Sequence, residues 1–170
     1  NAHAITGRIP TGKTMAEYHQ IDADAFTAAL TEWGFTEVDP DGERIWERAH
    51  KTPGCVIRVY SSIRSGRKAA RDVGTDAIRV CGLYQPSPSG DCGLFKTTAA
   101  RPILPKMVRV HRVKGWRENL LARCREAWVQ ISRIPQCPAC GAPTVERTRK
   151  SDGVSFRGCV RYPECRGVAR

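Results

Sequence analysis

The sequence predicts an α+β fold: a mostly antiparallel sheet with flanking helices, followed by a small C-terminal module built on four cysteines. Three observations carry that expectation. Apolar residues recur at helical spacing in two windows, 22–33 and 116–134. Between these windows lie short runs rich in Val and Ile, bounded by Gly, Pro, Asp and Ser. Beyond the second window, Cys137, Cys140, Cys159 and Cys165 fall as two close pairs separated by a polar stretch. Helices at both ends of a series of strands are expected to cover one face of the sheet.

Residues 1–20 are polar, with Gly7, Pro10 and Gly12, and are expected to form a flexible N-terminal arm. Within it, Gly7 to Thr14 matches the phosphate-binding pattern G-x-x-x-x-G-K-[ST] letter for letter. A working loop of that kind needs a buried strand before it and a long helix after it, so that backbone N–H groups cradle the phosphates. Only six residues precede Gly7, Pro10 stiffens the loop, and residues 15–20 make a poor amphipathic helix, so the match is read as coincidence.

From residue 21 to 134 the pattern describes a basic α+β domain. Asp22 is a helix N-cap, and Phe26, Ala29, Leu30 and Trp33 mark one helical face that Gly34 ends. Residues 35–38 and 44–49 flank Asp39-Pro40-Asp41-Gly42, a turn signal, and predict a hairpin. Residues 55–60 and 77–84 read as further strands, and 85–105, rich in Pro, Ser and Gly, as a long loop. Residues 107–113 alternate apolar residues with cations, presenting Arg109 and His111, or Arg112, according to register. The window 116–134 carries the apolar stripe Trp116, Leu120, Cys124, Ala127, Trp128 and Ile131, and Pro135 stops it. An antiparallel sheet covered on one side leaves its other face free, and nucleic-acid binders often use such a face.

The net charge of +11 is unevenly spread. Residues 1–50 hold four Lys/Arg against nine Asp/Glu, whereas the remainder holds twenty-four against eight. A body this basic points to a polyanionic partner, because each phosphate it neutralises releases condensed counterions. The chain has no apolar run long enough to span a bilayer, about eighteen residues or more. Of its eight cysteines, Cys55, Cys81, Cys92 and Cys124 stand singly and are read as small buried hydrophobes. That usage fits a reducing, cytoplasmic setting better than a secreted disulfide scaffold.

The remaining four cysteines form a metal framework. Two Cys pairs, the first followed at once by Gly141, can close tetrahedrally around Zn²⁺, which accepts four thiolates at about 2.3 Å. A stretch this short buries too little apolar surface to fold unaided, and the metal supplies the missing free energy. The order Cys-Pro-x-Cys-Gly, then Phe-x-Gly-Cys-x-x-Tyr-Pro-x-Cys, resembles the C-terminal zinc ribbon of bacterial type IA DNA topoisomerases. The likeness covers residues 135–168 of the module at 135–170 and says nothing of residues 1–134. It implies Cys137, Cys140, Cys159 and Cys165 as ligands to one structural zinc. By position it nominates Phe156 and Tyr162 as aromatics presented to single-stranded DNA.

These readings combine into a nucleic-acid-binding protein, for DNA before RNA, acting in DNA processing with a preference for single strands or junctions and little sequence specificity. Arg64, Arg67, Lys68 and Arg71 would form a phosphate clamp in a glycine-containing loop, joined by Arg109 and Arg112. Arg149, Lys150, Arg157 and Arg161 would supply charge around Phe156 and Tyr162. Two alternatives stand beside this reading. One is a metal-dependent nuclease, or an accessory subunit of a DNA-processing enzyme, for which Asp39, Asp41, Glu43, Glu47, Asp72 and Asp76 are the available carboxylates. The other is an adaptor whose acidic N-terminal segment recruits a protein partner. No spacing suggests a Ser-His-Asp or Cys-His arrangement, and His50 and His111 are isolated, so no catalytic residue is assigned.

Overall fold

Asp22 opens the first helix as its sequence position requires: its Oδ2 accepts a hydrogen bond from the Ala25 N–H at 2.8 Å. The computed structural model describes residues 21–38, 45–61, 78–85, 100–111 and 113–169. Helix α1 (Ala23–Glu32) ends where Gly34 takes φ +79°. There Gly34 N–H donates to Thr31 O and Phe35 N–H to Leu30 O, a paired closure that satisfies the last carbonyls. Phe26, Ala29 and Leu30 are the residues α1 buries.

Strands β1 (Thr36–Glu37), β2 (Ile45–Ala49), β3 (Cys55–Tyr60) and β4 (Ile78–Tyr84) pair antiparallel in sequence order. Strands β5 (Arg101–Pro102) and β6 (Val108–Val110) both pair with β4, at opposite ends of it. The predicted hairpin is present, with Thr36 opposite Glu47, while its turn lies outside the described residues. The predicted strand at 107–113 is narrower, at 108–110. The expected loop 85–105 is corrected at its C-terminal end. There β5 joins the sheet, and Ile103, buried, donates its N–H to Gly82 O at 3.1 Å. Pairing with β4 overrides the weak local strand preference of Arg-Pro.

Helix α2 (Trp116–Ser132) buries Trp116, Leu120, Cys124, Ala127 and Ile131, all members of the predicted stripe. It packs on the same sheet face as α1, and the two helices meet through Phe26 and Trp116, 5.7 Å between ring centroids. On this face β3 contributes Cys55, Ile57 and Val59, and β4 contributes Ile78 and Val80. Gly82 lets the layers close. A Cβ there would sit 2.7 Å from Leu104 Cγ and 3.1 Å from Ile131 Cδ1, so any side chain would displace Leu104 and crowd Ile131 of α2.

Cys55, Cys81 and Cys124 are buried free thiols, as expected, and burial pushes them up to about 11, 11 and 12 respectively. Cys92 lies outside the described residues. His50 is structural too. The Thr52 N–H donates to its Nδ1 at 2.9 Å, so the proton sits on Nε2, which faces Trp128 O at 3.1 Å and Ser132 Oγ at 3.0 Å. Those contacts tie the end of β2 to the last turn of α2.

The opposite face of the sheet carries exposed Arg79 and Arg109 at the β4–β6 end and is closed at its centre. At its centre Arg58, 1% exposed, donates from Nε to Glu47 Oε1 at 2.6 Å and forms an ion pair with it through Nη2. Arg58 Nη1 reaches Tyr60 Oη at 3.0 Å, and Gln85 Nε2 donates to the same Glu47 oxygen at 2.9 Å. A guanidinium without water needs such partners, which is why Glu47 and Arg58 stand directly across β2 and β3.

Two expectations follow. Glu47→Leu removes the buried ion pair with Arg58 and should cost roughly 3–5 kcal/mol in urea unfolding. The double change Glu47→Leu with Arg58→Met should be less damaging than the single one, and greater damage in the double variant would contradict the pair's role. His50 has its titration lowered below 6.5, chiefly by burial. Its contribution to stability is therefore present above the unfolded value of 6.5 and lost as pH falls through the folded value. Denaturation midpoints between pH 8 and about 5 should fall more steeply for the native chain than for His50→Gln.

Candidate metal centre and the groove beside it

Residues 135–169 form a second sheet, β7 (Thr144–Thr148), β8 (Ser155–Cys159) and β9 (Val168–Ala169), in that order and antiparallel. Gly153 at φ +71° closes the β7–β8 turn. Before β7, Cys137 N–H bonds Ala142 O at 2.7 Å and Gly141 N–H bonds Cys137 O at 2.8 Å, with Gly141 at φ +74°. This tight loop sets Cys137 and Cys140 on one side. After β8, the turns at 160–165 return Cys165 to the other, through Tyr162 N–H to Cys159 O and Cys165 N–H to Arg161 O.

The four sulfurs lie within 4.8 Å of one another. Cys137 Sγ is 3.7 Å from Cys165 Sγ, and Cys140 Sγ is 3.5 Å from Cys159 Sγ. All four are free thiols. Four sulfurs each about 2.3 Å from a common centre stand about 3.8 Å apart at the corners of a tetrahedron. The donor set and its spacing therefore fit a tetrahedral metal ion of the kind that thiolates select. The group at 137, 140, 159 and 165 was legible from spacing alone.

Backbone groups prepare the sulfurs. The Ala142 N–H lowers the Cys140 thiol to about 7, and Arg161 N–H points at Cys159 Sγ from 3.4 Å. Burial, the larger influence on Cys159, holds that thiol up at about 12. A residue that spacing did not single out completes the cage: a Cβ on Gly167 would collide with Cys137 Sγ and come within 3.6 Å of Cys165 Sγ. Gly167 also accepts the Cys159 N–H at 2.9 Å, so the backbone must pass this close to the sulfurs.

The main sheet holds the cysteine loop. Arg101 on β5 donates from Nη1 to Val160 O at 2.6 Å and Tyr162 O at 2.9 Å, and its Nη2 lies 3.7 Å from Glu164. Cys137, Ala142, Cys159 and Val160 belong to the same apolar cluster as α2 and the sheet. Arg101 gave no sequence signal, because it sits in a Pro-containing stretch about sixty residues from its partners.

Beside the sulfurs lies a groove of about 520 Å³ lined by Arg147, Arg149, Lys150, Phe156, Tyr162 and Arg166 among others. Four of the anticipated nucleic-acid residues, Arg149, Lys150, Phe156 and Tyr162, therefore meet in one place. Arg147 and Arg166 were not anticipated. Arg147 pairs across the ladder with Phe156, and its Cζ sits 5.3 Å over the Tyr162 ring. Gly158 makes room for it, since a Cβ there would lie 3.0 Å from Arg147 Cδ. Tyr162 is 52% exposed, and Arg149 pairs with Asp152 at 2.8 Å.

The other anticipated cations are elsewhere. Arg157 turns to the opposite face of β8 and bonds Thr144, from Nε to Oγ1 at 3.1 Å and from Nη2 to O at 2.9 Å. Arg161 is exposed beside Tyr84 and Cys140. Arg109 is exposed on β6, across from Arg79 on β4. Arg64, Arg67, Lys68, Arg71 and Arg112 lie outside the described residues, as does the phosphate-loop match at 7–14. Among the carboxylates considered for metal-dependent cleavage, Glu47 is held by Arg58 and Gln85, and Asp39, Asp41, Glu43, Asp72 and Asp76 are outside the described residues.

Gly167→Ala should weaken metal binding at least tenfold, about 1.4 kcal/mol, in a chelator competition. Gly153→Ala, whose Cβ meets nothing within 4 Å, should leave metal affinity unchanged despite its backbone strain. Equal affinities for Gly167→Ala and the native chain would show that the approach to Cys137 does not constrain the cage.

Compared with known proteins, the chain matches no family model, no curated protein and no solved structure.

Proposed function

We propose that the four-cysteine group holds one structural Zn²⁺ and that the chain is a nucleic-acid-binding protein, acting on DNA and favouring unpaired strands. The observation that carries the reading is the groove beside the sulfurs. Phe156 and Tyr162 share it with Arg147, Arg149, Lys150 and Arg166: the β7–β8 ladder places Arg147 and Phe156, and the loop between Cys159 and Cys165 places Tyr162. An aromatic surface flanked by cations suits a strand whose bases are free to stack while its phosphates meet guanidinium and ammonium groups. The resemblance to topoisomerase zinc ribbons agrees with this use, and so does the excess of cations beyond residue 50.

Zinc is preferred to iron for its role. A closed thiolate tetrahedron with no open position is a structural site, and Zn²⁺ brings no redox chemistry to it. Metal analysis should find one equivalent of zinc and no visible absorption, whereas a coloured, iron-containing protein would overturn the assignment. When bound, the ion cross-links residues 137–140 to 159–165 and so fixes Tyr162 against Arg147. Tyr162 offers a ring to a base, Arg147 holds that ring from one side, and Lys150 and Arg166 attract the backbone without reading sequence.

Arg157 does not join this mechanism, because Thr144 occupies its guanidinium. Arg109, on the other sheet, is a separate candidate for phosphate contact.

Replacing Phe156 and Tyr162 together by Ala should weaken binding to an unstructured oligothymidylate more than binding to duplex of equal length. Loss of about 1–3 kcal/mol per stacked base corresponds to roughly 5- to 150-fold per base. Equal losses on both substrates would remove the stacking mechanism. Affinity should also fall steeply between about 50 and 200 mM salt, and a flat response would remove the phosphate contacts.

A further inference from the structure

We infer that the cleft between the C-terminal end of α1, strand β2 and helix α2 is a binding site for a small planar aromatic molecule carrying one acidic group. The cleft encloses about 600 Å³ and shares no lining residue with the groove beside the sulfurs. Its floor is apolar, made by Phe35, Ile57 and Cys124, all buried. Its walls include two half-buried indoles, Trp33 from α1 and Trp128 from α2. Volume and lining match the general form of small-ligand sites: roughly 300–1,000 Å³, mostly apolar and aromatic, with a few placed polar groups.

The charged groups of the lining are two cations, Arg48 and Arg125, and one acid, Glu32. Arg48 reaches in from β2 with its guanidinium 4.6 Å over the Trp128 ring, and Arg125 borders the cleft from α2. Neither has a carboxylate partner among the described residues. Glu32, at the edge of the cleft, has its charge offset by Arg117 at 2.6 Å, and Glu126 on α2 is paired with Arg123 at 2.8 Å. Stacking on Trp128 orients the Arg48 fork while leaving its N–H edge for an acceptor, and a guanidinium fork matches a carboxylate, sulfonate or phosphate bidentately. Gly34, whose Cβ would stand 3.7 Å from Arg48 Nε, leaves the approach open.

The same features set the size and charge of the ligand. Two cations and no glycine-rich nest suit one acidic group and not a polyphosphate. Burial keeps the Cys124 thiol neutral, up at about 12, so the floor adds no charge to repel an anion. Exposed Val129 forms part of the rim, where a larger side chain can be introduced without disturbing the core.

The test uses the full chain, metal-loaded, titrated with 1-anilinonaphthalene-8-sulfonate as the aromatic anion. One saturable equivalent should bind and quench tryptophan emission. Arg48→Met with Arg125→Met should weaken it at least tenfold, and Val129→Trp should weaken it while leaving both charges. The uncharged analogue N-phenyl-1-naphthylamine should bind at least tenfold more weakly. Absence of saturable binding, several equivalents per chain, indifference to all three substitutions, or equal affinity for the uncharged analogue would overturn the assignment. Displacement of the dye by one equivalent of oligothymidylate would also overturn it, assigning the cleft to the nucleic-acid surface.

Discussion

The convergence of four sulfur atoms governs the C-terminal module, residues 135–169. Their mutual separations, within 4.8 Å, bring Cys137 and Cys140 against Cys159 and Cys165 across a three-stranded sheet that contains few large apolar side chains. Four thiolates at that spacing would repel one another unless a cation sat among them, and a metal ion held there would supply attraction that the few apolar side chains of so small a sheet do not. Everything the groove offers is downstream of this closure. Tyr162 lies between the last two cysteines, Gly158 immediately precedes the third, and Arg147 is placed by the ladder that ends at Cys159.

The small sheet is not an appendage hung on a tether. Arg101 holds the carbonyls of Val160 and Tyr162 from the main sheet, and Val160 and Ala142 share the apolar cluster of α2. Pro135 supports this arrangement from the other side, accepting both the N–H and the hydroxyl of Thr144. A ligand seated on Tyr162 would therefore press on β5 and, through Gly82 and Ile103, on β4. The physical route is short and made of hydrogen bonds between backbone and one guanidinium.

On the main sheet, charge is treated in two ways. Arg58 is buried and paired, which fixes the register of β2 against β3 and uses Glu47 as its counterion. Arg79 and Arg109 face each other in the open, where water screens their repulsion. A count of cations treats these residues alike, yet only the second kind can meet a phosphate. The same distinction separates Arg157, held by Thr144, from Lys150 and Arg166 in the groove.

Much of this was legible in the sequence because it depends on local rules. Asp22 and Gly34 bracket α1 through capping and a left-handed backbone. The stripe from Trp116 to Ile131 follows the period of a helix, and two Cys pairs declare a metal cage by spacing. What only the tertiary structure decided are contacts between segments that share no local pattern. Arg101 was hidden because its partners are carbonyls near residue 160. Gly167 was hidden because what forbids a side chain there is a sulfur thirty residues earlier. Arg58 was hidden because strand alternation gives a residue's face but not what covers it. Periodicity and spacing are properties of neighbours along the chain; burial, pairing and close approach are properties of neighbours in space.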